Sequence, residues 1–155
     1  MEYKFVVNSP EETYRIGERI GENLSKGQIV TLSGDLGAGK TVITKGILNS
    51  LGYKGEVTSP TYTIMNVYEL PDYSVYHYDA YRLASFEDLY DVGFWDYRDE
   101  GISIVEWAPN VFENTPKNTV KIEIKRKDEE SLTKREIYVV TPDEMEDINF
   151  ENIIH

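Results

Sequence analysis

Residues 34–41 read GDLGAGKT, which fits the spacing G-x-x-x-x-G-K-[ST]. Each position has a chemical task. Gly34, Gly37 and Gly39 permit positive φ and let backbone N–H groups approach a phosphate with no Cβ in the way. Asp35, Leu36 and Ala38 complete the loop that would wrap the phosphates. A helix opening near Gly39 turns its orphan N–H groups and the positive end of its dipole toward an anion. Lys40 places an ammonium between the β- and γ-phosphates, and the Thr41 hydroxyl is a ligand for Mg²⁺. From average residue usage the pattern arises by chance in roughly one in a few hundred chains of this length. Its surroundings are the confirming ones. QIVTLS at 28–33 reads as a buried strand just before the loop. Ile43, Ile47 and Leu51 then recur on one face of a helix over about 40–51, with Gly52 at its left-handed cap.

Outward from the loop, YKFVV at 3–7 reads as a strand. Ser9, Pro10 and Glu12 form a capping box that starts a helix over about 10–25, with Ile16, Ile20 and Leu24 as its apolar stripe. Strands are expected at 61–70, 74–79 and 102–107, with a short helix opening at Ser85. TVKIEIK at 119–125 and REIYVV at 135–140 alternate as two antiparallel strands joined by the charged loop KDEESLTK. Thr141-Pro142-Asp143-Glu144 predicts one further helix start. The expected fold class is therefore α/β: residues 1–155 as a single P-loop NTPase domain, a mixed central sheet flanked by helices, with an acidic tail over about 141–155.

Composition narrows the class of function. The chain has 155 residues, 40% apolar and 28% charged, with 12 Tyr, 5 Phe and 2 Trp, which excludes a disordered chain. No Cys is present, so disulfide scaffolds, thiolate metal sites and Cys nucleophiles are excluded. No apolar run approaches the roughly 18 residues of a membrane span, and the first residues do not read as a signal peptide, so a cytoplasmic protein is expected. Lys and Arg number 16 against 28 Asp and Glu, a net charge of −12. A chain that grips nucleic acid alone shows a basic face. If this one serves a nucleic acid, a partner does the gripping.

A P-loop hydrolase also needs a carboxylate at the end of a buried strand for the metal, and a group that positions water. Asp79 ends VYHYD and Glu106 ends ISIVE, and parallel α/β sheets bind ligands at the carboxyl ends of their strands. Lys40, Asp79 and Glu106 are the candidate catalytic residues; Thr41, Asp79 and Glu106 are the candidate metal ligands. The hydroxyl-rich segment at 58–63, with Thr61 as the candidate phosphate contact, stands where such proteins place a γ-phosphate switch. Trp107, beside Glu106, is a candidate neighbour of the nucleotide. His77 reads first as a packed strand residue. Tyr73, Tyr76, Tyr78, Tyr81, Tyr90 and Tyr97 read as sheet and surface aromatics. The acidic stretch that carries them, 69–100, holds nine Asp and Glu against Arg82 and Arg98 and is a candidate docking face.

GDLGAGKT, TSPTYTI at 58–64, YHYDAYRL at 76–83 and VEW at 105–107, in this order and spacing, resemble the bacterial TsaE (YjeE) family over residues 5 to about 110. The resemblance implies ATP and Mg²⁺ as ligands, ATP hydrolysis that is weak in isolation, and the proteins TsaD and TsaB as partners. It further implies threonylcarbamoylation of the tRNA adenosine next to the anticodon, with tRNA contacted only through the complex. It maps the phosphate loop onto Gly34 to Thr41, the switch onto Thr58 to Thr63, the strand-end acids onto Asp79 and Glu106, and the family Trp onto Trp107. Val42 and Lys45 depart from the residues many members carry there, a second Thr and an Arg. Two other readings stand beside it: a nucleotide or small-molecule kinase, and a nucleotide-gated interaction module with little turnover. A GTPase is disfavoured, because no N-K-x-D segment occurs.

Overall fold

The computed structural model describes residues 1–34, 39–57, 65–80, 93–106 and 116–153. In chain order the elements are β1 (Glu2–Val7), α1 (Pro10–Gly21), β2 (Ile29–Gly34), α2 (Lys40–Ser50), β3 (Met65–Glu69), β4 (Ser74–Asp79), α3 (Phe94–Tyr97), β5 (Gly101–Glu106), β6 (Thr119–Arg126) and β7 (Arg135–Val140); one 3₁₀ turn, Arg98–Glu100, leads into β5. All seven strands join one sheet in the order β1-β7-β6-β2-β5-β4-β3. The four central strands β6, β2, β5 and β4 run parallel, and β1, β7 and β3 add antiparallel edges. The α/β class and the mixed sheet match the sequence reading.

Composition explains the order. β2, β5 and β4 are buried along almost their whole length, as interior parallel strands must be. β6 and β7 alternate and lie nearer the edge, paired as the hairpin their spacing predicts. The principal core lies on the face that carries α1 and α2. Ile16 and Ile20 of α1 and Ile43 and Ile47 of α2 meet Val30, Leu32, Ile102 and Ile104 of the sheet. Each such buried aliphatic side chain stabilises the fold by about 1.5–3 kcal/mol. On the other face Ile29, Tyr78 and Val105 pack with Phe94 of α3.

α1 starts as its capping box requires: Ser9 Oγ accepts from the Glu12 amide at 3.3 Å, and Pro10 opens the first turn. It ends at Gly21 rather than near residue 25. Asn23 Nδ2 donates to the Arg19 carbonyl at 2.8 Å, and residues 23 and 24 close tighter i→i−3 turns. Leu24 is nevertheless buried, so its place in the stripe stands. The two helices touch backbone to backbone. A Cβ on Gly46 would strike the Tyr14 carbonyl, and one on Gly17 the Ile43 carbonyl.

The helix expected at Thr141 does not form. The Thr141 amide donates to the Met1 carbonyl at 2.9 Å, which commits its backbone to β1 and not to a cap. Only a turn follows, closed by the Met145 amide on the Pro142 carbonyl. Residues 146–150 then form no helix or strand, and the tail's acids stay exposed while its apolar side chains pack inward. Ile148 and Ile153 are buried, and Phe150 sets its ring edge-on to Tyr3 and Phe5 at 4.9 and 4.7 Å. The Ile148 amide donates to the Tyr3 hydroxyl and Arg19 Nη1 to the Asn149 carbonyl. The apolar positions of the tail lack a 3.6-residue period, so packing against β1 and α1 decides its path. The short helix expected from Ser85, and residues 61–64 of the expected strand at 61–70, lie outside the described residues.

Candidate functional site

The site is assembled at the carboxyl ends of β2, β4 and β5. β2 delivers Gly34 and α2 begins at Lys40, so both borders of the GDLGAGKT segment are in place. Its first residue must be glycine for a steric reason: a Cβ at Gly34 would collide with the Ile124 carbonyl of β6. Gly39, the residue before α2, sits at φ 110°, in the left-handed region that costs an L side chain energy. The Ile43 amide donates to the Gly39 carbonyl at 3.0 Å and starts the helix there. No acidic residue stands in the first turn of α2, so nothing in that turn offsets the positive end of the helix dipole. Lys40 reaches back across the loop, its Nζ donating to the Gly34 carbonyl at 3.0 Å. Thr41 is half-buried in the same first turn.

β4 and β5 bring the two carboxylates together. In their parallel register Asp79 is the Cα partner of Glu106, and Glu106 is also the partner of Leu32 on β2. Adjacent strands lie about 4.8 Å apart, so the acids are neighbours: Glu106 is one strand-width and two residues from Gly34, and Asp79 one strand further. Strand alternation puts both side chains on the α2 face, since Val75, Ile102 and Ile104 at the same parity belong to that core. Asp79 is 8% exposed and Glu106 5%. Two carboxylates this close and this dry repel one another, and a cation between them and a polyphosphate is the natural remedy. The donor set suits Mg²⁺, which takes one or two carboxylates and completes its octahedron with phosphate oxygens and water. Among the described residues no three His, Asp or Glu side chains group into a cage that would hold a metal unaided.

His77 is packed, as its strand position predicts, with 1% exposure. Its environment is more specific than the sequence indicated. Nε2 stands 3.4 Å from Oε2 of Glu106, and the ring tilts toward Tyr68 at 6.2 Å between centroids. The signal was present: His77 and Asp79 are two apart on one strand and therefore share a face. Of the tyrosines, Tyr78 is fully buried against Phe94 and Tyr76 stacks on Tyr97, on the opposite side of the sheet. Burial pushes the Tyr78 hydroxyl pKa well above its ordinary value, so it stays protonated at neutral pH. Asp35, Leu36, Gly37, Ala38, Thr61 with the 58–63 switch, and Trp107 lie outside the described residues, as do Arg82, Tyr81, Tyr90 and much of the acidic 69–100 stretch.

A family model described as threonylcarbamoyl adenosine biosynthesis protein TsaE matches residues 7–137. The chain belongs to the TsaE family. Two relatives carry the name tRNA threonylcarbamoyladenosine biosynthesis protein TsaE at comparable similarity. That of Treponema pallidum is 40% identical over 121 residues, which is 77% of this chain and 89% of the relative. That of Bacillus subtilis is 39% identical over 128 residues, 81% and 80% of the two chains. The crystal structure of Bacillus subtilis YdiB superposes with a TM-score of 0.73 at 33% identity, covering 91% of this chain and 86% of that one. The TsaE match runs from the end of β1 into β7, past the limit near residue 110 that the motifs alone suggested. It takes in Gly34, Lys40, Thr41, Asp79 and Glu106, and leaves out the tail that packs on β1.

Proposed function

We propose that this chain is an ATP-binding and ATP-hydrolysing protein of the cytoplasm that serves threonylcarbamoylation of the tRNA adenosine next to the anticodon, in complex with TsaD and TsaB. The observation that carries the enzymatic part is the register of β4 on β5. It sets Asp79 and Glu106 side by side at the strand ends, next to the borders of the phosphate loop. The names of the TsaE relatives support the pathway.

In this reading the glycine-bordered loop and the amino end of α2 receive the triphosphate, and Lys40 exchanges the Gly34 carbonyl for phosphate oxygens. Thr41 with Asp79 and Glu106 would hold Mg²⁺, one of the two carboxylates directly and the other on the metal or orienting the attacking water. Mg²⁺, when bound, neutralises charge on the phosphates as the terminal P–O bond breaks. The buried sheet behind the carboxylates keeps bulk water from their inner side. Thr61 would contact the γ-phosphate and Trp107 the nucleotide.

The charge of −12 suits a subunit whose partners hold the tRNA. An Arg or Lys from a partner that neutralises transition-state charge is worth about 10³–10⁵ in rate. Slow turnover alone and acceleration by TsaD with TsaB are therefore expected, weakening as salt rises. The test is steady-state ATP turnover against partner concentration at two salt levels. Turnover alone equal to turnover in the complex overturns the partner-activated reading in favour of a self-sufficient hydrolase or kinase.

A further inference from the structure

Both ring nitrogens of His77 are buried and neither meets the geometry of a hydrogen bond in this structure. Buried imidazole nitrogens left this way cost free energy, so a nitrogen 3.4 Å from a buried carboxylate oxygen calls for explanation. The neighbourhood offers few polar groups. In the strand registers His77 faces Asn66 of β3 on one side and Ile104 of β5 on the other. Tyr68 lies against its ring, and Glu106 caps its Nε2 edge. A small rotation of either side chain turns the contact into a bond, and such bonds are often long until the ligand is in place.

We propose that His77 is a positioning residue for Glu106. The imidazole Nε2–H donates to Oε2 of Glu106, which fixes the carboxylate's rotation and leaves Oε1 as the oxygen for metal or water. The inference rests on the nucleotide-hydrolysing reading above. A group that anchors a metal-site carboxylate from behind typically governs 10–100-fold in metal affinity or activity.

The test compares His77→Phe, which keeps a ring and removes both nitrogens, with His77→Gln, whose amide nitrogen extends to a reach similar to Nε2 and can donate. Three quantities are measured on the full chain: ATP affinity without divalent metal, Mn²⁺ affinity of the ATP-bound protein by electron paramagnetic resonance, and kcat with TsaD and TsaB. For His77→Phe the expectation is metal-free ATP affinity within about twofold of the parent, with kcat and Mn²⁺ affinity lowered about tenfold or more. His77→Gln should recover most of both. Because His77 acts through Glu106, adding His77→Phe to Glu106→Gln should cause no further loss.

Parental kcat and Mn²⁺ affinity in His77→Phe overturn the inference, and so does a Gln variant as impaired as the Phe one. If the Phe variant fails to fold, Gln is compared with His77→Asn, whose amide mimics Nδ1 instead. Gln active and Asn impaired supports the inference, and any other ranking overturns it. Glu106→Gln separates the two levels of the argument. Parental turnover in that variant removes Glu106 from the site and the role of His77 with it, whereas a parental protein that does not turn over ATP with TsaD and TsaB removes the hydrolytic reading itself. An inactive Glu106→Gln beside a fully active His77→Phe removes only the role of His77.

Discussion

Asp79 and Glu106 are direct partners across the parallel β4–β5 ladder, both all but buried and both at the carboxyl end of their strands. The pairing brings together two acids separated by 26 intervening residues, and one test applies to both.

Replacing Asp79 by Asn, or Glu106 by Gln, should leave nucleotide binding measurable and remove hydrolysis. Each swap keeps size and shape and removes the charge that orders metal or water. Steady-state phosphate release from the complex with TsaD and TsaB checks it. A variant that turns over at the parental rate takes its residue out of the site.

Lys40→Ala should weaken ATP binding severely while the fold persists. A lost charge-assisted contact typically costs about 1.5–3 kcal/mol, and a polyphosphate carries several charges. The ammonium donates to the Gly34 carbonyl at the border of the loop and stands outside the apolar core, so the melting temperature should be unchanged. Calorimetric titration with ATP should show at least a tenfold loss, beside an unchanged thermal transition; unchanged affinity would reject the phosphate-loop assignment.

Gly46→Ala should destabilise the fold although alanine is the better helix former. The added methyl would meet the Tyr14 carbonyl of α1, forcing α2 away from its partner helix. Overpacking of this kind costs about 1–3 kcal/mol. Lys45→Ala, exposed on the same helix, should stay within about 0.5 kcal/mol of the parent. Urea unfolding of the two variants reads the difference directly.

Glu136 should make stability depend on acid. Lys4 and Tyr138 hydrogen-bond its carboxylate at 2.9 and 2.8 Å and Lys127 lies at 3.3 Å, which together hold its pKa down to about 2. A depressed carboxylate stabilises the fold fully above its unfolded value near 4.5, and the contribution is lost as pH falls toward 2. Thermal melts of the parent and of Glu136→Gln should therefore differ at pH 7 and converge as the pH approaches 2. A constant gap across that window would show that the ion pairs do not carry it.

What could be read from the sequence alone was whatever short-range physics decides. The capping box of α1, the glycines bordering the phosphate loop, the stripes of α1 and α2 and the β6–β7 alternation each depend on residues a few positions apart. They predicted elements close to those observed. GDLGAGKT, with acids ending two apolar strands, likewise marked out the candidate site. Tertiary structure decided what no local pattern encodes. Pairing is non-local, and a slip of one residue in the β4–β5 register would have turned one acid's side chain to the other face of the sheet. The approach of His77 to Glu106 depends on that same register. The tail at 141–153 shows the converse: a helix-start motif lost to the Met1 carbonyl and to Tyr3 and Phe5, because burying Ile148 and Phe150 against β1 outweighs a weak local preference.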